Sequence, residues 1–158
     1  MYTYTLGFIK KESQILMINR QKKPWLGCWN GLGGKIMKDE TAESCIIREL
    51  YEETGIRITR DQIKPCGTLT WNSFDAHGQG LYLFLIDGSQ VSLETPIATP
   101  EGILDWKTID WIINPDNKGV AHNIQFFLPT MIDEDDHYHY HCTFEHDVLT
   151  QVTKEKMI

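Results

Sequence analysis

Three glutamates recur at helical spacing in the middle of the chain. Glu49, Glu52 and Glu53 stand at positions i, i+3 and i+4, so on an α-helix they share one arc of about 100° of the surface. Carboxylates crowded in this way repel one another unless a cation compensates them, and hard cations such as Mg²⁺ prefer oxygen ligands of this kind. For three glutamates alone, a solvated acidic helix face is the alternative.

The residues around these glutamates predict a helix over Asp39 to Thr54. Asp39 or Thr41 can cap its N-terminus, and Gly55 stands where a helix C-terminus favours a left-handed residue. A neighbouring apolar arc of the same helix would pack on a sheet; it consists of Ile46, Ile47 and Leu50. A glycine-rich segment, Trp-Asn-Gly-Leu-Gly-Gly-Lys at 29–35, precedes the helix and permits unusual backbone angles.

The segment 34–56 resembles the Nudix box, whose pattern is G-x5-E-x7-R-E-U-x-E-E-x-G-U, with U a bulky apolar residue. Nine fixed positions are all filled, by Gly34, Glu40, Arg48, Glu49, Leu50, Glu52, Glu53, Gly55 and Ile56. The resemblance implies a pyrophosphohydrolase that cleaves a nucleoside diphosphate linked to another group and that uses Mg²⁺ or Mn²⁺. It also implies an α+β fold, an α/β/α sandwich with a mixed central sheet.

The same resemblance implies which residues do the chemistry. The phosphates would lie over the turn at Gly33–Gly34, called the glycine turn below. The metal ligands would be a backbone carbonyl of that turn and four carboxylates, so the set is Gly33, Gly34, Glu49, Glu52, Glu53 and Glu101. Arg48 would orient the glutamates by charge-assisted hydrogen bonds, and Glu40 would support the junction between loop and helix. Either Glu49 or Glu101 could be the general base.

Residues outside the box are similar to the MutT-type branch of the family, which hydrolyses oxidised purine nucleoside triphosphates such as 8-oxo-dGTP. Asn30 matches an asparagine that contacts the purine edge, where an amide can both donate and accept, although a turn residue is the alternative. Trp71 matches an aromatic that flanks the base, although a core tryptophan is the alternative. The substrate-binding set implied is Thr5, Arg20, Asn30, Gly33, Gly34, Lys35, Trp71 and Asn123.

The chain departs from the mammalian enzymes of this branch at one position. Those enzymes carry a pair of aspartates where this chain has His122 and Asn123. Bacterial members use an asparagine near this position, so Asn123 fits the bacterial pattern, and the departure favours guanine over oxidised adenine. We therefore expect attack on the β-phosphorus of 8-oxo-dGTP to give 8-oxo-dGMP and pyrophosphate, a sanitising activity connected with DNA repair.

Other functions stay open at this point. The chain could be a Nudix hydrolase of another nucleoside triphosphate, a pterin triphosphate, a nucleotide sugar or the 5′ end of RNA. It could also be a non-catalytic nucleotide-binding domain, although such a domain would be expected to have lost box glutamates. A purely structural domain with a solvated acidic helix is the third alternative.

Composition narrows the partners and the compartment. The 158 residues carry a net charge of −7 with a pI near 5.3, which argues against binding to a nucleic-acid polymer and makes handling of a phosphorylated small molecule depend on cations. No run of about 18 apolar residues predicts a membrane span. Four scattered cysteines and an N-terminus unlike a signal peptide favour a cytoplasmic protein with reduced thiols. The oligomeric state is not predicted.

Strands and helices alternate along the chain without a linker, which predicts a single domain over 1–158 with a mixed sheet. Strands are predicted at 3–9, 13–19, 68–74, 81–86 and 139–144, with 101–106 leading into another. Residues 21–26 are predicted as a loop, and 123–131 as a second helix broken near Pro129.

Three histidines alternate near the C-terminus. His137, His139 and His141 would share one face of a strand, where they could bind a transition metal. The acidic run at 133–136 beside them favours a solvated loop and an edge strand instead.

Overall fold

The computed structural model describes residues 2–22, 26–72, 79–121 and 123–158. Part of the predicted loop at 21–26, the end of the strand predicted at 68–74, and His122 lie outside the described residues. The described elements run in the order β1 (Tyr4–Lys11), β2 (Gln14–Arg20), β3 (Trp29–Asn30), α1 (Ala42–Thr54), a 3₁₀ turn (Arg60–Gln62), β4 (Ile63–Trp71), β5 (Leu81–Asp87), β6 (Ile97–Thr99), β7 (Gly102–Thr108), α2 (Ile109–Ile113), α3 (Ile124–Asp133), β8 (Tyr138–Glu145) and β9 (Val148–Lys156).

All the described strands belong to one mixed sheet. Its order is β6-β7-β2-β1-β5-β4-β8-β9, with β3 paired to β2. The pairs β1–β5 and β4–β8 are parallel, and the remaining pairs are antiparallel. The prediction of an α+β fold with a mixed sheet is confirmed.

Helices cover both faces of this sheet. Because alternate residues of a strand point to opposite faces, neighbouring residues of one strand contribute to two different cores. Ile9 packs on the face covered by α1, together with Ile46 and Leu50 of that helix. Phe8 packs on the other face, with α2 and α3, where Phe127 is one of its partners. Each fully buried side chain of this size stabilises the fold by about 1.5–3 kcal/mol, so the two cores hold α1 and α3 against the strands.

Helix α1 begins later than predicted. Of the two candidate caps, Thr41 is the one used, since its hydroxyl accepts the Ser44 N–H at 3.1 Å. Asp39 has a φ of 65°, outside the helical region, so the predicted start at Asp39 is wrong. Gly55 ends the helix with a φ of 77° and donates its N–H to the Tyr51 carbonyl, as predicted.

Helix α3 does not break at Pro129, and that prediction is wrong. The helix runs from Ile124 to Asp133 with the proline inside it. A proline removes one backbone N–H, but Phe127, Leu128 and Met131 are buried on both sides of it. Packing of these side chains outweighs the cost of the missing hydrogen bond.

Strand boundaries differ from the predictions where the local pattern is weak. β4 begins at Ile63, five residues before the predicted start at Thr68. A register shift between Pro65 and Gly67 interrupts the alternation of its first residues, so the sequence pattern did not indicate them. Strand β9 and the short elements β3, β6 and α2 were not predicted. Because β9 pairs outside β8, the histidine strand is not the sheet edge that the sequence predicted. Among the described residues, no helix has the length and apolar character needed to cross a bilayer.

Candidate active site

A cleft of about 440 Å³ opens between the glycine turn, α1, the ends of β2 and β4, and the start of α3. All but two of the predicted site residues line it: Thr5, Arg20, Asn30, Gly33, Gly34, Glu49, Glu52, Glu53, Trp71, Glu101 and Asn123. Elements that are distant in sequence therefore bring these side chains to one opening.

The two remaining predicted residues lie outside the cleft lining. The side chain of Lys35 is exposed, and its carbonyl accepts an N–H from Arg48 Nη2 at 3.0 Å. Arg48 is not among the described residues that line the cleft, and its guanidinium donates hydrogen bonds to Glu40, Glu49 and Glu52. The backbone of Lys35 thus anchors the guanidinium, and contact of its exposed side chain with substrate stays a prediction.

The glycine turn sits against strand β1 and helix α1 so closely that side chains do not fit. Gly33 has a φ of 147°, and a Cβ there would collide with the Thr5 carbonyl. A Cβ on Gly34 would collide with the Glu49 carboxylate. Thr5 fixes the turn by donating its N–H to the Gly34 carbonyl at 2.9 Å and by its hydroxyl at 3.2 Å from the same oxygen. The turn therefore presents its backbone directly to the glutamates.

Glu53 is the most deeply placed carboxylate of the cleft. Its Oε1 accepts the Gly33 N–H at 2.9 Å. Burial raises the pKa of Glu53 to about 8, and the negative charges of Glu49 and Glu101 add to the rise, while the Gly33 hydrogen bond and Arg20 oppose it. A desolvated carboxylate among other carboxylates is a group that a bound cation would stabilise.

Arg48 links the carboxylates of the helix. Its Nε and Nη2 donate to the two oxygens of Glu40 at 2.7 and 2.9 Å, and its Nη1 donates to Glu49 at 2.9 Å and to Glu52 at 3.2 Å. The hydrogen bond from Arg48 holds the pKa of Glu40 down at about 2. Burial raises the pKa of Glu49, against the effect of Arg48. Glu40 also accepts the Met37 N–H at 3.0 Å, which joins the loop to the helix.

The donor set fits a hard divalent cation in its chemistry, since it consists of carboxylate oxygens and a backbone turn. Among the described residues, however, no three His, Cys, Asp or Glu side chains converge on a ready metal position. Glu53 is directed at Gly33 and Glu49 at Arg48, while Glu52 and Glu101 are exposed. Binding of a cation would therefore require these side chains to turn toward it.

The opposite end of the cleft is apolar with two carboxamides. Asn30 ends β3, and its Oδ1 accepts the Gly31 N–H at 2.8 Å. Asn123 is the buried N-cap residue of α3, but its side chain makes no capping hydrogen bond and contacts the Cys142 thiol instead. Trp71 is half-buried at the end of β4 and packs against the core on that face. The lining residues that the sequence did not predict are Tyr4, Leu6, Gly31, Leu69 and Leu81.

The histidines near the C-terminus bind threonines of the neighbouring strand. His139 Nδ1 lies 2.7 Å from the Thr68 hydroxyl, and His141 Nδ1 lies 2.8 Å from that of Thr70. Burial, together with His141, lowers the pKa of His139. His137 is exposed and lies just before the start of β8.

A second depression, of about 540 Å³, lies at the far end of β1 and β5. Its charged lining mixes lysines with acids, and two of the lysines are already bound to carbonyls. Lys11 Nζ donates to Val91 at 2.6 Å, and Lys64 Nζ donates to Met131 and Glu134. Among the described residues, the second depression is lined by three carboxylates and three lysines, whereas the first cleft is lined by four glutamates and one arginine.

Relatives of known activity share parts of this sequence. The chain is 26% identical over 148 residues to an oxidized purine nucleoside triphosphate hydrolase of Danio rerio, covering 93% of this chain and 90% of the relative. It is 42% identical to an ADP-ribose pyrophosphatase of Methanocaldococcus jannaschii, but only over 50 residues, which are 32% of this chain and 30% of the relative.

Solved structures share the fold. A MutT protein from Bacillus halodurans superposes with a TM-score of 0.74 at 22% identity, over 96% of this chain and 95% of that one. The NUDIX domain of Shewanella oneidensis NrtR, solved in complex with ADP-ribose, superposes with a TM-score of 0.53 at 23% identity, over 67% and 71% of the two chains.

The family model that describes the NUDIX domain matches residues 3–126, which include the glycine turn, all of α1 and Glu101. Members of this family that are hydrolases use divalent metal ions. The protein therefore belongs to the NUDIX domain family and is a Nudix hydrolase that acts on phosphoanhydride bonds.

Proposed function

We propose that the protein is a Mg²⁺-dependent pyrophosphohydrolase of oxidised purine nucleoside triphosphates, which converts 8-oxo-dGTP to 8-oxo-dGMP and pyrophosphate. One observation carries the proposal: a single cleft joins a carboxylate end at α1 to an apolar end with two carboxamides and an indole. The Danio rerio relative, which aligns over most of both chains, supports the same substrate class.

The carboxylate end would receive the triphosphate. Glu49, Glu52, Glu53 and Glu101 would hold the divalent ions together with a carbonyl of the Gly33–Gly34 turn, and Mn²⁺ would substitute for Mg²⁺. When bound, these ions would neutralise phosphate oxygens, lower the pKa of a bound water and stabilise the leaving group. A chain with a net charge of −7 needs such cations to bind a polyanion.

The protein's own groups would orient the reaction. Glu49 is the general base in this proposal, because it is half-buried at the cleft, its pKa is raised by burial, and Arg48 holds its Oε1 at 2.9 Å. Its Oε2 would accept the proton of the attacking water. Arg48 would act through the glutamates, since it binds three of them and does not line the cleft.

The apolar end would receive the nucleobase. Trp71 would stack on the purine, and the amides of Asn30 and Asn123 would donate to and accept from its edge. An amide reads a guanine edge without a carboxylic proton, so guanine is favoured over oxidised adenine. Thr5 would act through the Gly34 carbonyl that it binds, and Arg20 would face the phosphates near Glu53.

A free nucleotide is the partner in this proposal, and a nucleic-acid polymer is not. We place the activity in the cytoplasm, where sanitising the nucleotide pool would protect DNA from oxidised precursors.

A second candidate is hydrolysis of ADP-ribose. The Methanocaldococcus jannaschii relative with 42% identity over 50 residues favours it, as does the ADP-ribose complex of the Shewanella oneidensis domain. ADP-ribose carries the same phosphoanhydride linkage and would use the same carboxylates, but it demands room for a second sugar.

The proposal is tested by a panel of substrates at limiting enzyme with Mg²⁺. We expect kcat/KM for 8-oxo-dGTP to exceed those for dGTP, dATP, dCTP, an oxidised dATP and ADP-ribose by at least tenfold. A value for dGTP or ADP-ribose equal to or above that for 8-oxo-dGTP would overturn the substrate proposal. Glu52→Gln, assayed in parallel, controls for a contaminating phosphatase, because it should remove activity on every substrate.

A further inference from the structure

A lysine on β7 contacts two indole rings, one of which belongs to Trp29, the residue before Asn30. Lys107 Nζ stands 4.4 Å from the centre of the Trp29 ring and 5.2 Å from that of Trp111. It also pairs with Asp105 at 3.2 Å, and both side chains of that pair are about one-quarter exposed. An ammonium held against indole faces in this partly desolvated setting restrains the rings that it contacts.

Trp29 is the residue through which this restraint would reach the cleft. It precedes Asn30 in strand β3, so its backbone sets where Asn30 lies. It is also bridged to the segment before α3, because its N–H donates to the Gly119 carbonyl at 2.7 Å and its carbonyl accepts the Ala121 N–H at 3.0 Å. Ala121 lies two residues before Asn123. One tryptophan thus joins the two carboxamides of the cleft.

Trp111 is also hydrogen-bonded to the segment before α3. The Trp111 carbonyl accepts an N–H from Asn117 at 2.7 Å, and Asn117 Oδ1 accepts the Gly119 N–H at 2.9 Å. Lys107 therefore contacts both tryptophans that are hydrogen-bonded to this segment. Within the part of the chain that the structure describes, the hydrogen bonds and ring contacts of this group do not involve Glu49, Glu52, Glu53 or Arg48; Glu53 is bound to Gly33 and Arg48 to Glu40.

We propose that Lys107 is a positioning residue for nucleobase selection: by bracing Trp29 against Trp111 it sets the spacing of Asn30 and Asn123, without acting on phosphoanhydride hydrolysis. The proposal deepens the proposed function and rests on it for the role of the two carboxamides. Selectivity between bases would then depend on a cation that lies outside the cleft lining.

The test compares Lys107→Met with Lys107→Arg. Methionine keeps much of the apolar stem but removes the charge, whereas arginine keeps a cation that can stack on indoles. We expect Lys107→Met to lower the preference for the best purine nucleotide over its cytosine counterpart by about three- to tenfold, through a higher KM for the purine and with kcat within about twofold. Lys107→Arg should restore the preference to within about twofold.

Lys154→Met is the matched control. Lys154 also places its Nζ over an aromatic ring, at 4.7 Å from Tyr138, but on the far strand β9. A general loss of a cation over an aromatic ring would affect both variants alike, whereas the proposal predicts unchanged selectivity for Lys154→Met.

Binding measurements separate this inference from the proposed substrate. We expect Lys107→Met to weaken binding of guanosine monophosphate several-fold and to leave inhibition by inorganic pyrophosphate unchanged. If ADP-ribose proves to be the preferred substrate, the substrate proposal fails, and the Lys107 proposal is judged on the adenine-to-cytosine preference.

Two results would overturn the Lys107 proposal. One is an unchanged base preference in Lys107→Met, and the other is a fall in kcat shared equally by all substrates. Should Lys107→Met fold poorly, Trp111→Leu provides the same test from a partly exposed position and should shift the preference in the same direction.

Discussion

Arg48 donates two adjacent hydrogen bonds to Glu40, from Nε at 2.7 Å and from Nη2 at 2.9 Å. Its third nitrogen, Nη1, donates to Glu49 and Glu52. A planar guanidinium satisfies this fork, whereas an ammonium cannot. The ion pair with Glu40 thus fixes the position of the Arg48 guanidinium, which in turn orients Glu49 and Glu52. Arg48 therefore supports the cleft from outside its lining.

Replacing Glu40 by glutamine should destabilise the protein in a pH-dependent way. The pKa of Glu40 is about 2 in the fold, below its ordinary 4.5, so its contribution to stability is complete above pH 4.5 and is lost as the pH falls through 2. We expect Glu40→Gln to lower the free energy of unfolding at pH 7 by about 1–3 kcal/mol and to flatten its decline at acid pH.

Urea denaturation from pH 3 to pH 7 checks this expectation. Glu43→Gln is the control, because Glu43 pairs with Arg60 at 3.4 Å between two exposed side chains, and it should change stability by less than about 0.5 kcal/mol. Equal effects of the two variants would contradict a special role for the Arg48 fork.

Replacing Glu53 by glutamine should raise the free energy of unfolding at alkaline pH, which is the opposite of the effect expected for Glu40→Gln. Burial raises the pKa of Glu53 to about 8 in the fold, so the stability that its protonated form contributes is present below pH 4.5 and is lost as the pH rises through 8. Without divalent ions, we expect the wild-type protein to lose as much as about 4 kcal/mol between pH 4.5 and pH 9 from this group.

Glu53→Gln removes the ionisation, so its stability in EDTA should vary less over the same interval. Thermal or urea unfolding at several pH values measures the difference. Glu52→Gln, at an exposed position of the same helix, should keep the wild-type profile. An identical pH dependence in wild type and Glu53→Gln would show that Glu53 is not desolvated.

Alanine at the two adjacent glycines should produce different defects. A Cβ at Gly33 meets the Thr5 backbone carbonyl and the position has a φ of 147°, so Gly33→Ala should cost about 2–4 kcal/mol of stability. The three atoms nearest to a Cβ at Gly34 all belong to the Glu49 carboxylate, the end of a flexible side chain that can turn away. Gly34→Ala should therefore fold well but lose about a hundredfold in kcat.

Thermal unfolding and steady-state kinetics on both variants distinguish these outcomes. Gly55→Ala is the control for positive φ alone, since its φ is 77° and, apart from its two chain neighbours, no described residue has an atom within 4 Å of a Cβ there. It should cost about 1–2 kcal/mol and leave kcat unchanged. Full activity in Gly34→Ala would contradict a catalytic position for Glu49.

Replacing Trp71 should affect binding of the nucleotide more than its hydrolysis. Stacking of a base on an aromatic ring contributes about 1–3 kcal/mol, so Trp71→Leu should raise KM for the preferred nucleotide roughly tenfold with a small change in kcat. Trp71→Phe should retain most of the affinity. Steady-state kinetics measure both values, and an unchanged KM in Trp71→Leu would leave Trp71 as a core residue only.

The helical part of the site could be predicted because it is local. The spacing of Glu49, Glu52 and Glu53 follows from the helical repeat, and Gly55 marks the end of the helix. The arrival of Glu101 and Asn123 at the same cleft depends on sheet order, which a local pattern does not contain. Those two positions were inferred from resemblance alone.

The misses have physical causes too. Leu6, Leu69 and Leu81 line the cleft, but apolar strand residues at a cleft look like core residues in a sequence. Lys35 follows the glycine turn with an exposed side chain, and its contact with phosphates stays a prediction. Strand β9 is mostly exposed and polar, so its sequence lacks the alternation that marks a half-buried strand.

Titration with a divalent ion tests the central claim most directly. We predict that Mg²⁺ or Mn²⁺ binds to the wild-type protein in a calorimeter, that pyrophosphate is released from a nucleoside triphosphate only when the ion is present, and that Glu52→Gln and Glu53→Gln each lose about a hundredfold or more in activity together with weaker ion binding. Pyrophosphate release by wild type in EDTA, or ion binding and activity unchanged in both variants, would contradict the account.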